Sequence, residues 1–234
     1  MVHLHFVLLL ILYSFAPISV AENADQKLIY SARMAMLNAG DLTLQYVENG
    51  SAFEVLGRFK TSKSLSKYYT WNGVFVSKAR RVDERITTDA YLTISSSSDD
   101  PIRLVVYTPD EVRVLDDNQE EVESRDIPKG SDLISALFFV QGCYDQPYVN
   151  DGEDHYPIKL KTSWTSRVNM GLGFYEGEVI NCRYRVADRK GRRRTVEVAM
   201  ANTEVGWRAV RVQIKIPMLP DPVLRLRWPV GTSS

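Results

Sequence analysis

The fold is decided by the stretch Val210-Arg211-Val212-Gln213-Ile214-Lys215-Ile216, in which β-branched residues occupy every even position and polar residues every odd one. Such period-two alternation is typical of a β-strand with one buried face and one hydrated face. The same alternation recurs in three nearby stretches, residues 180–186, 195–200 and 224–228. Short polar links join the four, so we expect consecutive antiparallel strands at the C-terminal end of the chain.

The buried face of these strands follows from the same pattern, because a slip of one residue in register would place Arg and Lys inside. The residues predicted to share that face are Val196, Val198, Val210, Val212, Ile214, Ile216, Leu224 and Leu226. A long apolar sheet face of this kind must be covered, closed or occupied.

Shorter alternating runs fill the N-terminal half of the chain. We expect strands over residues 28–36 and 42–46, joined by a turn at Asn38-Ala39-Gly40-Asp41. Asn49-Gly50 predicts a tight hairpin turn, since both residue types tolerate a positive φ. Further strands are predicted over residues 53–59, 68–77, 86–95, 102–106 and 111–114.

One helix is predicted over residues 131–139, since Pro128 and Gly130 precede it and Ser131 is a capping residue. Apolar residues on nearly all of its sides indicate that it packs, buried, against the sheet. A single helix cannot cover the dry faces of so many strands, so the sheet either closes fully or holds something apolar. The sequence predicts a mostly β fold, a single curved antiparallel sheet or partly closed β-barrel with one buried helix.

The first 21 residues have the features of a secretory signal peptide. Residues 2–21 contain no Asp, Glu, Lys or Arg, and residues 6–13 are continuously apolar. Pro17 and the small residues Ser19 and Ala21 predict cleavage after Ala21. Histidines in place of the usual basic residues leave an uncleaved anchor as the alternative, although the apolar run is shorter than the roughly 20 residues of a spanning helix. We expect an exported, periplasmic protein with one domain, residues 22–234.

The chain has two cysteines, Cys143 and Cys182. In an oxidising compartment such a pair forms a disulfide, and two buried free thiols are the alternative. Closing a loop of about 40 residues stabilises a fold by about 4 kcal/mol if chain entropy alone is counted.

Short motifs follow one another along the chain: a strand with Tyr30, a turn at Gly40, residues 131–137, Asp151-Gly152 before His155-Tyr156, and Gly177 ahead of Cys182. In this order they resemble the exported bacterial proteins of domain-of-unknown-function family 3108. The resemblance implies an uncharacterised envelope protein of Gram-negative bacteria with a strongly curved antiparallel sheet. It implies no catalytic residues, because that family has no assigned activity.

His155 is the only histidine after the predicted cleavage site, and it follows Asp151, Glu153 and Asp154. Such a cluster suits acid–base chemistry or a divalent cation. Asp151-Gly152 is also a hairpin-turn signal, and the spacing matches neither a zinc site nor an EF-hand loop. We therefore assign no metal site, cofactor or catalytic residue from the sequence.

A basic tip separates two of the C-terminal strands. It consists of Arg189, Lys190, Arg192, Arg193 and Arg194. The tip is either a solvated turn that resists edge aggregation or a contact for an anionic surface such as lipid headgroups. The acidic residues 110–126 oppose it in sign, so the charge distribution is polarised.

Aromatic residues are concentrated at Tyr68, Tyr69, Trp71 and Phe75, with Trp164 and Trp207 further along the chain. They either line an apolar groove or form ordinary sheet packing.

Two classes of function fit this composition. The net charge of zero gives no indication of a nucleic-acid partner, and 44% hydrophobic residues suit a folded globular domain. We expect a non-enzymatic envelope protein that binds an apolar or lipid-like ligand or an envelope partner. The alternative is a hydrolase of cell-wall or envelope material, acting through carboxylate pairs that one sequence does not reveal.

Overall fold

The computed structural model describes residues 26–229 except 68–69, 84, 98–102, 108–110, 116–117, 119–120, 126–129, 152–154, 188–192 and 216–219. The predicted signal peptide lies outside the described residues. No helix in the described part of the chain has the length and apolarity needed to span a bilayer.

Strands make up nearly all of the regular structure. The first eight are β1 (Gln26–Met34), β2 (Leu37–Asn49), β3 (Ala52–Thr61), β4 (Trp71–Val82), β5 (Arg85–Ser97), β6 (Arg103–Tyr107), β7 (Val112–Leu115) and β8 (Glu121–Arg125). Strand β9 (Ser131–Asp132) leads into the helix α1 (Leu133–Phe138). The last six strands are β10 (Gln146–Asn150), β11 (His155–Asn169), β12 (Glu176–Ala187), β13 (Arg193–Thr203), β14 (Gly206–Lys215) and β15 (Pro222–Leu226).

In the described part of the chain, all strands belong to one sheet in the order β8-β7-β6-β5-β4-β3-β2-β1-β15-β14-β13-β12-β11-β10-β9. Strand β1 joins the two halves of the chain, because it pairs with β2 on one side and with β15 on the other. The four predicted C-terminal strands are confirmed as β12 to β15, each antiparallel to the next.

The sheet curls into a nearly closed barrel of 12 strands, from β5 round to β9. Hydrogen bonds close the seam between these two strands, since Thr88 N donates to Gly130 O at 2.9 Å and the Ser131 hydroxyl donates to Ile86 O at 2.6 Å. Strands β6 to β8 extend the sheet beyond the seam, because β6 pairs with the later part of β5 and leaves the first part free to contact β9. The predicted mostly β, barrel-like fold with one helix is confirmed.

A buried cluster of polar side chains holds the seam and the start of α1. The Asp132 carboxylate accepts hydrogen bonds from Ser77 Oγ at 2.6 Å, Thr88 Oγ1 at 2.7 Å and Ser135 N at 2.9 Å. The last of these bonds caps the helix. The prediction that the helix begins at Ser131 is therefore wrong. Ser131 belongs to β9, and its hydroxyl donates a hydrogen bond to Ile86 O across the seam instead of capping the helix.

The turn predicted at Asn38-Ala39-Gly40-Asp41 is also wrong, because the chain reverses at Ala35 and Met36 and these four residues belong to β2. Gly40 produced the error. It lies within a strand, where an added Cβ would come within 2.2 Å of Lys60 O, so the glycine permits close approach of β3 rather than a turn. The hairpin predicted at Asn49-Gly50 is confirmed, and Gly50 has φ 62°.

Strand directions divide the turns between the two ends of the barrel. The Gly50 end carries the β2–β3, β4–β5, β11–β12 and β13–β14 turns. The Met36 end carries the β1–β2 turn, the connection from β3 to β4, and the start of β13. These two names are used below for the ends and for the adjoining halves of the interior.

Candidate ligand-binding site

Helix α1 fills the Gly50 half of the barrel interior. Phe138 packs edge-on against Tyr30 with 4.9 Å between ring centroids. Phe139, which follows the helix, packs against Tyr46 at 5.2 Å and stacks on Phe53 at 5.3 Å. All five rings are buried, so this half of the interior is a packed core.

A buried arginine completes this core. Arg208 is 1% exposed, and its guanidinium lies over the rings of Tyr46 at 4.5 Å and Phe139 at 5.2 Å. Its charge is balanced by Glu48, whose Oε1 accepts from Arg208 Nη2 at 2.7 Å and from Arg81 Nη2 at 3.1 Å. One carboxylate therefore holds two cations against the rings of this core. Helix α1 and Phe139, with the rings that they contact, are called the plug below.

At the Gly50 end, a second contact joins the β11–β12 turn to the segment that follows β15. The turn between β11 and β12 reaches the C-terminal segment, where Phe174 pairs with Arg227 and Trp228 N donates to Gly173 O at 3.0 Å. Since β13 and β14 lie between β12 and β15 in the sheet, this contact crosses two strands.

Burial raises the pKa of the interior tyrosines. The pKa of Tyr184 rises to about 12, and the pKa of Tyr30 rises further because its phenol is fully enclosed. The Tyr30 hydroxyl donates to Ala209 O at 2.8 Å. Burial similarly raises the pKa of Tyr46 and Tyr91. The phenols of the interior are therefore neutral at physiological pH.

These shifts predict alkaline destabilisation. An unfolded tyrosine loses its proton near pH 10, whereas folded Tyr184 keeps it to about 12, so the native state binds more protons in that window. Its contribution is fully present below about pH 10 and is lost as the pH rises toward 12, at about 1.4 kcal/mol per pH unit for each such tyrosine. Urea unfolding at a series of pH values should show this slope, and Tyr184→Phe should reduce it. An unchanged slope in the variant would contradict the assignment.

The Met36 half of the interior is different, because several of its inward-facing side chains are not fully buried. Cross-strand register fixes their direction: Leu42 and Tyr30 face inward, and Phe59 lies directly opposite Leu42. On the other side of the barrel Val212 and Leu224 are paired, and Ile214 follows Val212 by two positions. Phe59, Leu224 and Val186 are only partly buried, and Ile214 is 37% exposed although it faces inward. The apolar lining of the Met36 half is therefore only partly covered.

An aromatic wall lines one side of this half. Trp71 lies 4.7 Å from Phe59 and 6.1 Å from Phe75, measured between ring centroids. Two interior glycines make room for these rings, since a Cβ on Gly57 would come within 3.2 Å of Phe75 and one on Gly73 within 2.9 Å. The accessible surface of the Met36 half is thus aromatic on one side and aliphatic on the other.

The predicted buried face is confirmed over most of its length. Val196, Val198, Val210, Val212 and Leu226 are buried. Leu224 is partly buried and Ile214 is exposed, both in the Met36 half, and Ile216 lies outside the described residues.

The other aromatic candidates do not join the wall. Tyr68 and Tyr69 lie outside the described residues. Trp164 points away from the barrel interior, opposite Asn181, and its ring lies 5.1 Å below the Arg183 guanidinium. Trp207 is partly buried at the Gly50 end, where it pairs with Asn202.

His155 opens β11 and is exposed, with its ring 6.5 Å from that of Tyr148. Among the described residues no group of three His, Cys, Asp or Glu side chains lies close enough to hold a metal ion. Arg193 and Arg194 begin β13 at the Met36 end, whereas Arg189, Lys190 and Arg192 lie outside the described residues.

Cys143 and Cys182 are bonded as a disulfide, with 5.3 Å between their Cα atoms. Cys182 is buried on β12, and Cys143 lies in the segment that leads from α1 to β10. The bridge therefore ties the exit of the helical plug to the barrel wall. A disulfide-bonded pair is typical of an oxidising compartment outside the cytosol.

The comparisons with known proteins bear on the fold alone. No protein-family model matches the chain, and no curated protein does. A crystal structure of a β-barrel-like protein of domain-of-unknown-function family DUF1849 from Brucella abortus is similar, with a TM-score of 0.52 and 9% sequence identity. The similarity covers 87% of this chain and 95% of that one. The fold is thus shared with an uncharacterised β-barrel-like protein, and the specific resemblance to family 3108 has no counterpart among these matches.

Proposed function

We propose that the protein is a non-enzymatic, periplasmic binding protein of the cell envelope, which holds an apolar or lipid-like ligand in the Met36 half of its barrel. The carrying observation is the accessibility of inward-facing apolar residues in that half, Ile214 above all. Ordinary cores bury such residues, whereas ligand pockets leave them accessible until the ligand covers them.

The closed half supports the same proposal. Helix α1 and Phe139 fill the Gly50 half with rings at 4.9 to 5.3 Å, so a ligand that enters from the Met36 end meets a rigid floor. The disulfide holds the segment that follows this floor. The disulfide and the predicted signal peptide support an exported location, and the predicted Gram-negative envelope supplies acyl chains as the available apolar ligands.

A filling substitution tests the site. Protein purified from the periplasm of an expressing host, with its N terminus checked by intact mass, should bind the apolar probe 1-N-phenylnaphthylamine saturably. Ile214→Trp should lower this binding by about tenfold or more, because the indole occupies the accessible space next to Val196 and Leu224.

The matched control is Lys215→Trp, the adjacent residue on the outer face of β14, whose only described ion pair is with Asp221 at 2.9 Å. This variant should bind the probe like the parent protein. Equal loss in both variants, or probe binding that appears only as near-ultraviolet circular dichroism is lost, would refute the site. Mass spectrometry of organic extracts of the purified protein then identifies the natural ligand.

A further inference from the structure

The β1–β2 turn presents apolar side chains to solvent. Met36 is 94% exposed and Leu37 is 57% exposed, while Ala35 has φ 53°, in the left-handed region. Tight turns are normally made from Gly, Asn, Asp, Ser or Pro. This tip, defined as residues 35–37, therefore keeps two large apolar side chains in water without any turn requirement for them.

The tip is held in place by its neighbour. Ser62 Oγ donates to Asn38 O at 2.6 Å, and Ser62 N donates to Ala39 O at 3.0 Å. A further bond from Ser66 N to Ser62 O at 2.9 Å folds residues 62–66 into one turn. The connection that follows β3 is thereby fastened against the base of the tip.

This fastening places cations beside the apolar tip. Lys63 and Lys67 are exposed on the fastened connection, and Arg33 is exposed just before the tip. Arg193 is exposed at the start of β13, at the same end of the barrel. Asp221 also lies at this end, before Pro222, which pairs with Met34, and its carboxylate is paired with Lys215 at 2.9 Å. An apolar tip flanked by exposed Lys and Arg has the chemistry of an interfacial anchor, which inserts apolar side chains below anionic headgroups.

We propose that the Met36 end docks on an anionic lipid surface, with Met36 and Leu37 inserted between the headgroups and the surrounding cations over the phosphates. This inference rests on the proposed function and deepens it, because it turns the accessible half of the barrel toward the source of its ligand. The Gly50 end then points away from the membrane, with the aromatic plug closing it.

Vesicle co-sedimentation tests the proposal with the same periplasmic preparation. The protein should bind vesicles of equimolar phosphatidylcholine and phosphatidylglycerol, bind pure phosphatidylcholine weakly, and lose most binding as salt shortens the screening length to about 3 Å at 1 M. The double substitution Met36→Asp/Leu37→Asp should lower the affinity for the anionic vesicles by about tenfold or more.

Leu172→Asp is the matched control, since Leu172 is a fully exposed apolar residue in a turn at the opposite, Gly50 end. It should bind the vesicles like the parent protein. No binding by the parent protein, an unaffected double variant, or equal loss in the Leu172 variant would overturn the proposal.

These assays test membrane docking and ligand binding separately, so that either proposal can be refuted without the other. The Met36→Asp/Leu37→Asp variant should still bind the apolar probe, because neither residue lies inside the barrel. Ile214→Trp should still bind anionic vesicles. Probe binding without vesicle binding in the parent protein would overturn the docking alone, and vesicle binding without probe binding would overturn the ligand site.

Discussion

Phe139→Ala is expected to lower the free energy of unfolding by about 3–5 kcal/mol, the usual cost of truncating a fully buried phenylalanine. The ring is enclosed by Tyr46, Phe53 and the Arg208 guanidinium. Its removal leaves a cavity in the plug and withdraws one of the two rings that face the buried cation. Equilibrium urea unfolding measures the effect.

Phe75→Ala is the matched truncation in the Met36 half. Phe75 also faces inward, but it is only partly buried, so its removal enlarges space that solvent already reaches. It should cost clearly less than Phe139→Ala, because the cavity contribution is small there. Equal costs at the two positions would mean that both halves of the interior are packed alike, contrary to the site described above.

Glu48→Gln should destabilise the protein by about 1–3 kcal/mol, less than for a fully buried ion pair, because Arg208 is buried but the Glu48 side chain is 32% exposed. The amide removes the only carboxylate that contacts Arg208 and Arg81 among the described residues. Arg208 is then left as a buried charge without a carboxylate partner among the described residues, although Tyr46, Phe139 and the Trp207 carbonyl still contact it. Denaturant unfolding again reports the loss.

A second substitution separates lost charge balance from lost packing. Arg208→Met in the Glu48→Gln background removes the stranded charge and keeps much of the side-chain volume, so most of the lost stability should return. If the double variant is instead less stable than Glu48→Gln by a further large amount, Arg208 acts mainly through its aromatic contacts, and the ion pair is not what the plug depends on.

Most strands could be predicted from the sequence because alternation of apolar and polar residues is a local property. The stretch 210–216 could be identified as a strand without knowing its partners, and its neighbours in sequence are also its neighbours in the sheet. The helix could also be predicted from local features, namely the breaking residues Pro128 and Gly130 before it and its apolar run. Its first residues were misassigned, since the hydroxyl of Ser131 binds Ile86, a partner 45 residues away.

A partly closed barrel was among the predicted folds, but the pairings that close it could not be predicted, because they join distant segments. Nothing local marks Tyr30 as the partner of Leu226, or Thr88 as the partner of Gly130. Arg208 was missed for a similar reason. A strand arginine is normally solvated, and only the fold brings Glu48, 160 residues away, within 2.7 Å of it.

The candidate site was partly visible in the sequence. Trp71 and Phe75 were identified as possible groove residues, and the structure places both in the aromatic wall. Trp164 could not be separated from them, because alternation alone does not say which face of a strand turns inward. The glycines at 57 and 73 were the overlooked signal, since a glycine inside a strand marks close approach of another group.

Fluorescence from the wall itself tests the central claim, that the Met36 half holds an apolar ligand. The chain has four tryptophans, so replacing Trp164, Trp207 and Trp228 by Phe leaves Trp71 as the sole emitter. A companion variant keeps only Trp164 on the outer wall. Titration with a brominated fatty acid should quench Trp71 saturably and leave Trp164 unquenched. Unquenched Trp71 in the folded protein, or equal quenching of the two, would contradict the account.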